Sequence, residues 1–175
     1  LRERFLKLIE REKRRAEEGQ AAEIRAKMNS LVDEDIIRGL YDASRAGVRI
    51  RLNVRGICCL RPGVKGVSET IEVVSIVDRF LEHSRIYHFR NGGDEQVYLS
   101  SADWMDRNFF RRIETSFPIL NPKLKKRVIT EGLKPYLRDN VQAWDMQPDG
   151  SYRHRSKHGA KAYCAQAELL ALLAR

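Results

Sequence analysis

The chain has 175 residues and a formal net charge of +9, from 33 Lys and Arg against 24 Asp and Glu. That length suits one domain, the 42% apolar content suffices for a core, and the mixing of both charge signs argues against disorder. The longest apolar runs, such as Ile71–Ile76 with Glu72 inside, fall far short of the roughly 20 residues of a membrane span, and no basic-then-apolar leader pattern is visible, so no integral membrane segment is expected.

Leu1, Phe5, Leu8 and Ile9 share one face of a helix over 1–18, with Gly19 as its stop. Ala22, Ile24, Ala26 and Met28 then alternate with Glu23, Arg25 and Lys27 at strand period. Ser30 stands three before Asp33, close to a capping box, and Ile36, Ile37, Leu40 and Tyr41 follow as a helix ended by Gly47. Residues 48–55 form the clearest strand: Val48, Ile50, Leu52 and Val54 face one way, Arg49, Arg51, Asn53 and Arg55 the other. After a loop with Pro62, Gly63 and Gly66, Thr70–Val74 reads as a strand and Ile76–Leu81 as a helical turn or two.

Arg85–Phe89 and Val97–Ser101 make a hairpin about the turn Asn91-Gly92-Gly93-Asp94. Arg112–Ile119 is strand-like, 122–138 helical, and 150–175 a basic loop followed by an Ala/Leu-rich helix. The order predicts a single α/β domain over 1–175, a sandwich whose mixed sheet is flanked by helices. The hairpin excludes an all-parallel sheet. Cys58, Cys59 and Cys164 have neither disulfide nor metal spacing and read as small buried hydrophobes in a reducing compartment. The chain opens on Leu1 rather than Met, as a piece of a longer chain would.

Charge points to chemistry. Arg45, Arg49, Arg51, Arg55, Arg61 and Lys65 lie in a stretch without an acid, as do Arg153, Arg155, Lys157 and Lys161. Cations crowded without counter-charges suit a polyanion. Arg55 ends a strand just before Gly56, where α/β sheets bind ligands, and its fork suits phosphate. In His83-Ser84-Arg85 a histidine and an arginine two apart share one face, extended by Tyr87 and Phe89, while His88 faces away in a structural role. His83 offers a nucleophile or general acid, Arg85 a phosphate clamp, and Ser100 and Ser101 orienting hydroxyls. His154 and His158 are four apart but lack an acidic or cysteine partner, so no metal site is expected there.

Several segments, in order, resemble the C-terminal domain of bacterial polyphosphate kinase: Val54-Arg55-Gly56-Ile57-Cys58, Val74 through His83, Asn91-Gly92-Gly93-Asp94, and Val97 through Met105, extended by Arg107-Asn108 and Arg112-Ile113-Glu114. The resemblance runs through nearly the whole chain and implies a phospholipase-D-like fold. That superfamily carries H-x-K, an acid five residues on, then G-S-x-N. Here Arg85 stands for the lysine, Arg90 at the acid position and Asp103 for the asparagine, and the serine pair lies three residues farther along. These departures speak against phosphodiester hydrolysis.

The resemblance implies reversible transfer of the terminal phosphoryl group of ATP to inorganic polyphosphate, through a phosphohistidine in a preceding domain that this chain lacks. His83 matches the family's second histidine and Arg55 its arginine on the nucleotide phosphates, with Arg85 a further phosphate contact. The expected partners are ATP or ADP, polyphosphate and the preceding domains of the same chain, with no nucleic acid. The full-length protein is expected to form a homo-oligomer, in the cytoplasm or peripheral to the membrane. The chain alone is expected to be inactive. Mg2+ is implied by the nucleotide; Asp94 and Asp103 are its nearest candidates, with solvated turn and strand-end roles favoured for both. Two other readings stand beside this one, a phospholipase-D-type phosphodiesterase or nuclease half-site and a basic nucleic-acid-binding domain.

Overall fold

The computed structural model describes residues 1–156 and 159–174. In chain order the elements are α1 (Arg2–Glu17), β1 (Glu23–Met28), α2 (Glu34–Arg45), β2 (Arg49–Val54), β3 (Ile71–Ile76), β4 (Arg85–Phe89), β5 (Gln96–Ser100), α3 (Asp106–Phe110), β6 (Ser116–Pro118), α4 (Pro122–Arg127), a π-helical turn (Val128–Leu133), α5 (Lys134–Arg138), β7 (Ala143–Met146), β8 (Tyr152–His154) and α6 (Ala165–Leu173). The strands form one sheet in the order β6-β5-β4-β1-β2-β3-β7-β8. β1, β2 and β3 run parallel, and every other neighbouring pair is antiparallel. This topology gathers the C-terminal ends of β1, β2, β3 and β5 at one edge, together with the N-terminal ends of β4 and β6.

Alternation along the strands splits the core between the two faces. Ile24, Ala26 and Met28 of β1 and Ile50, Leu52 and Val54 of β2 pack under Phe5, Leu8 and Ile9 of α1 and Ile36 and Leu40 of α2. The stripe read from residues 1–18 is this buried face. Trp104 stacks on Tyr87 at 4.7 Å between ring centroids, and Phe5 abuts both rings. On the other face Ile86 and Val97 meet Ile129 and Leu133, and Val74 and Ile76 meet Tyr136 and Ala165. Both faces of the central strands are therefore covered, so β1 is buried at nearly every position rather than at alternate ones. The helix over 122–138 passes through the π turn at Gly132, where an added Cβ would overlap Ile86 Cδ1.

Asp33, and not Ser30, caps α2: its carboxylate accepts from the Ile36 N–H at 2.9 Å. Gly47 then turns the chain at φ +92°, a value that favours glycine. Residues 77–84 are not helical. Ile76 belongs to β3 and to the core, whereas Val77 and Leu81 are 69% and 77% exposed and bury no helical stripe. Instead the Phe80 backbone is held at both its N–H and its carbonyl by the Gln166 side chain, each at 2.8 Å. Only Ser116–Pro118 of the strand-like run 112–119 joins the sheet. Part of the basic loop expected after 150 is strand β8, the second arm of a hairpin with β7. The cysteines are less buried than expected, with Cys59 exposed and Cys58 and Cys164 half-buried.

Candidate active site

The sheet edge just described receives Arg55 from the end of β2, His83 from the segment before β4, Arg85 from the first residue of β4, and Ser100, Ser101 and Asp103 from the end of β5. β1 lies between β2 and β4, with Lys27 paired to Asn53 on one side and Ile86 on the other. The backbones leading to Arg55 and Arg85 are thus two strand spacings apart, about 10 Å.

Four of the cations in the two acid-free stretches find carboxylates that lie far off in sequence or just outside the run. Arg49 reaches Glu72 at 3.6 Å, Arg51 reaches Glu23 at 2.7 Å, and Arg155 reaches Asp145 at 2.9 Å. Arg45 pairs with Asp42. The crowding inferred from the sequence is therefore partly neutralised by the fold. Arg55 is the exception at this edge. It is half-buried, and its guanidinium has no hydrogen-bond or ion-pair partner among the described residues; its backbone is held by Met28 and Ser75.

Beside it lies a cation the sequence reading passed over. Lys27 is 3% exposed, and its ammonium donates to Glu82 at 2.6 Å and to the Ser84 hydroxyl at 2.9 Å, while lying 3.6 Å from the centre of the Tyr136 ring. Burial pushes this ammonium's pKa down; Glu82 opposes that shift and the nearby Arg55 charge adds to it. The Tyr136 hydroxyl donates to the other Glu82 oxygen at 2.7 Å, and Gln166 Nε2 donates to it at 3.1 Å. Burial, with the Glu82 carboxylate second, raises the Tyr136 phenol well above its ordinary value, so it stays a donor. β1, α5 and α6 thus converge on Glu82, the residue directly before His83. No local pattern marks Lys27, whose strand period suggested only a polar face.

His83 itself is exposed, and its ring has no partner among the described residues. Its carbonyl accepts from Arg85 Nη1 at 3.1 Å. Arg85 spends its two parallel donors on Asp103, with both contacts at 3.1 Å. Asp103 is 3% exposed and also accepts from the Asn29 N–H at 2.8 Å, so its role is a buried one rather than the solvated one expected. Tyr87 and Phe89 do not extend the His83 face; both lie in the core, and the Tyr87 hydroxyl donates to the Ala102 carbonyl at 2.7 Å. The Ser100 and Ser101 hydroxyls bind the chain that leads into β6, Ser100 at the Thr115 carbonyl and Ser101 at Glu114. His88 is fully buried, with Nε2 3.2 Å from Glu95. His154 lies at the Val141 carbonyl, 2.8 Å away, and His158 lies outside the described residues.

The carboxylates at this edge do not fit a Mg2+ site. Asp103 is taken by Arg85, Glu82 by Lys27 and Tyr136, and Glu114 by Ser101 and Asn108. Asp94 follows the hairpin turn at the opposite end of the strands. No role in this chain is therefore assigned to a bound metal. What the edge offers is an uncompensated guanidinium, a second cation beneath it and an exposed imidazole on a braced segment. Such a set can hold phosphate oxygens and move a proton next to them.

The fold is that of the phospholipase D family. The Nuc member from Salmonella typhimurium superposes with a TM-score of 0.54 over 75% of this chain and 86% of its own, at 16% identity, a likeness of fold alone. The family described as polyphosphate kinase C-terminal domain 2 matches residues 1–166, and the chain belongs to it. The chain is 61% identical over 153 residues to polyphosphate kinase from Rhodopirellula baltica, covering 87% of this chain and 18% of that protein. The corresponding match in Pseudomonas aeruginosa is 59% identical over 159 residues, covering 91% of this chain and 23% of that protein. The crystal structure of polyphosphate kinase from Porphyromonas gingivalis superposes with a TM-score of 0.93 at 44% identity, over 98% of this chain and 26% of that one. The chain therefore spans about a quarter or less of the length of these relatives.

Proposed function

We propose that this chain forms one half of the reaction centre of an ATP:polyphosphate phosphotransferase, which works reversibly through a phosphohistidine carried by a preceding domain. The observation that carries the reading is the pairing of an uncompensated Arg55 with an exposed, braced His83 at one sheet edge, in a chain of this family. In the first half-reaction the bond between the γ-phosphorus of ATP and its bridging oxygen breaks as a ring nitrogen of the preceding domain's histidine bonds to phosphorus. ADP leaves with the bridging oxygen. In the second, the nitrogen–phosphorus bond breaks as a terminal polyphosphate oxygen takes the phosphoryl group.

Both steps gather negative charge on oxygens in line with phosphorus, and positioned cations stabilise it. Arg55 holds non-bridging oxygens, and Lys27 adds field from beneath. His83 gives a proton to the leaving oxygen or stabilises its charge. Arg85 fixes the His83 carbonyl and offers its remaining N–H groups to phosphate. The reading implies a cytoplasmic protein, oligomeric at full length, with any membrane contact peripheral. Among the described residues no helix is long and apolar enough to cross a membrane.

In the full-length protein Arg55→Ala should weaken ATP or polyphosphate binding by about 1–3 kcal/mol, the usual worth of a charge-assisted contact. Titration calorimetry that finds affinity unchanged removes Arg55 from the site. Glu82→Ala should lower kcat by about 10- to 100-fold, the scale of a misplaced catalytic group, with KM for ATP little altered. Steady-state kinetics with kcat intact would show that His83 does not need the brace.

A further inference from the structure

A second cavity, of about 580 Å³, lies between the β4–β5 turn and the helical segment 122–134. Five cations line it: Arg25, Arg90, Lys125, Lys126 and Lys134. Two carboxylates, Asp94 and Glu95, share that lining, and Glu95 already faces His88 at 3.2 Å. Glu23, the acid on Arg25, is shared with Arg51. Lys125 is fixed by its 2.6 Å hydrogen bond to the Glu95 carbonyl. Lys126 and Lys134 are exposed and have no ion-pair partner among the described residues, and the Arg90 guanidinium has none either.

The Nε atoms of both Arg25 and Arg90 are buried without an acceptor among the described residues. Buried donors of folded proteins are nearly always satisfied, and charged ones are the costliest to leave bare. Both arginines line one cavity in which five cations face two carboxylates, an excess that calls for a ligand rich in anionic acceptor oxygens. A guanidinium fork matches the oxygens of phosphate. The volume admits more than one phosphate group, and the lining cations come from β1, the β4–β5 turn and the helical segment 122–134.

We propose that this cavity is a second anion site that holds a run of phosphates in a phosphoanhydride chain. The polymer assignment rests on the function proposed above. Arg25 and Lys27 are two apart on β1 and so share a face, and Arg90 lies five residues beyond Arg85, about 16 Å along the sheet. A polyphosphate gripped at the cavity is thereby tethered near the His83 edge between transfers. A nucleoside triphosphate presents the same chemistry but is too short to serve as a tether.

The test uses the full-length protein with two double variants, Arg90→Gln/Lys126→Gln and, at two exposed positions, Lys126→Gln/Lys134→Gln. Either should raise KM for long-chain polyphosphate by about tenfold and shorten the product chains, with KM for ATP and for tripolyphosphate unchanged. Unaltered polyphosphate KM and product length in both variants would overturn the tether, and so would an equal rise in KM for ATP. A binding assay separates this site from the reaction centre. His83→Ala/Arg55→Ala protein should still bind long-chain polyphosphate, and should lose that binding when Arg90→Gln/Lys126→Gln is added. Synthesis surviving in His83→Ala alone would remove the proposed reaction centre and leave this binding result to stand or fall by itself.

Discussion

His83→Ala in the full-length protein should cut ATP-driven polyphosphate synthesis by about 10²- to 10⁴-fold, the range of a positioned acid or base. The fold should be untouched, because the ring has no partner among the described residues and is exposed. Its backbone neighbour is held instead by side chains that the substitution leaves in place, Lys27, Tyr136 and Gln166 on Glu82. Circular dichroism and melting temperature should therefore match the parent protein while turnover collapses. That combination separates a chemical role from a structural one. Turnover within a few-fold of the parent would remove His83 from the reaction.

Asp103→Ala should do the reverse, costing about 3–5 kcal/mol of stability, as expected when one member of a buried ion pair is removed. Asp103 is buried, takes both parallel donors of Arg85, and also accepts the Asn29 N–H at the end of β1. The truncation strips a guanidinium with a side chain only 11% exposed of its two bonds to a carboxylate, leaving it the His83 carbonyl alone, and leaves the Asn29 N–H without its acceptor. Asp103→Asn keeps an acceptor for Asn29 and should fall between. A double variant that replaces Arg85 and Asp103 by apolar residues should recover part of the loss, since neither charge is then stranded. Urea unfolding supplies the numbers; a loss below about 1 kcal/mol for Asp103→Ala would mean that the pair is not built as described.

The elements with clean periodicity were legible in the sequence. Residues 48–55 alternate without interruption, and Asn91-Gly92-Gly93-Asp94 can hardly be anything but a turn; both stand in the structure as read. The hairpin of β7 and β8 was missed although Asp149-Gly150 between Trp144 and Tyr152 is a usable turn signal. Its arms, of four and three residues, are too short for alternation to show. Ile76–Leu81 reads as a helical turn or two, yet Ile76 ends β3 and the course of the residues after it is set by a glutamine 86 residues beyond Phe80.

The candidate site divides in the same way. Arg55 and His83 stand next to recognisable local signals. The brace does not: Lys27 meets Glu82 across 55 residues. Its burial follows from helices arriving on both faces of β1, which no single segment encodes. Charge counting along the chain misled for the same reason, since the acids that neutralise Arg49, Arg51 and Arg155 come from other strands of the sheet.

The π-helical turn at Val128–Leu133 works as a phase setting. Each residue of an α-helix advances the side-chain direction by about 100°, so the one extra residue carried by a wide turn decides which way everything after it points. Tyr136 lies three residues past that turn and aims its hydroxyl at Glu82. Deleting a single residue between 128 and 133 would restore ordinary pitch and rotate the phenol off the carboxylate without changing any residue that touches it. The segment that carries His83 is thus tuned by a length, one residue of helix, as much as by the identities of its neighbours.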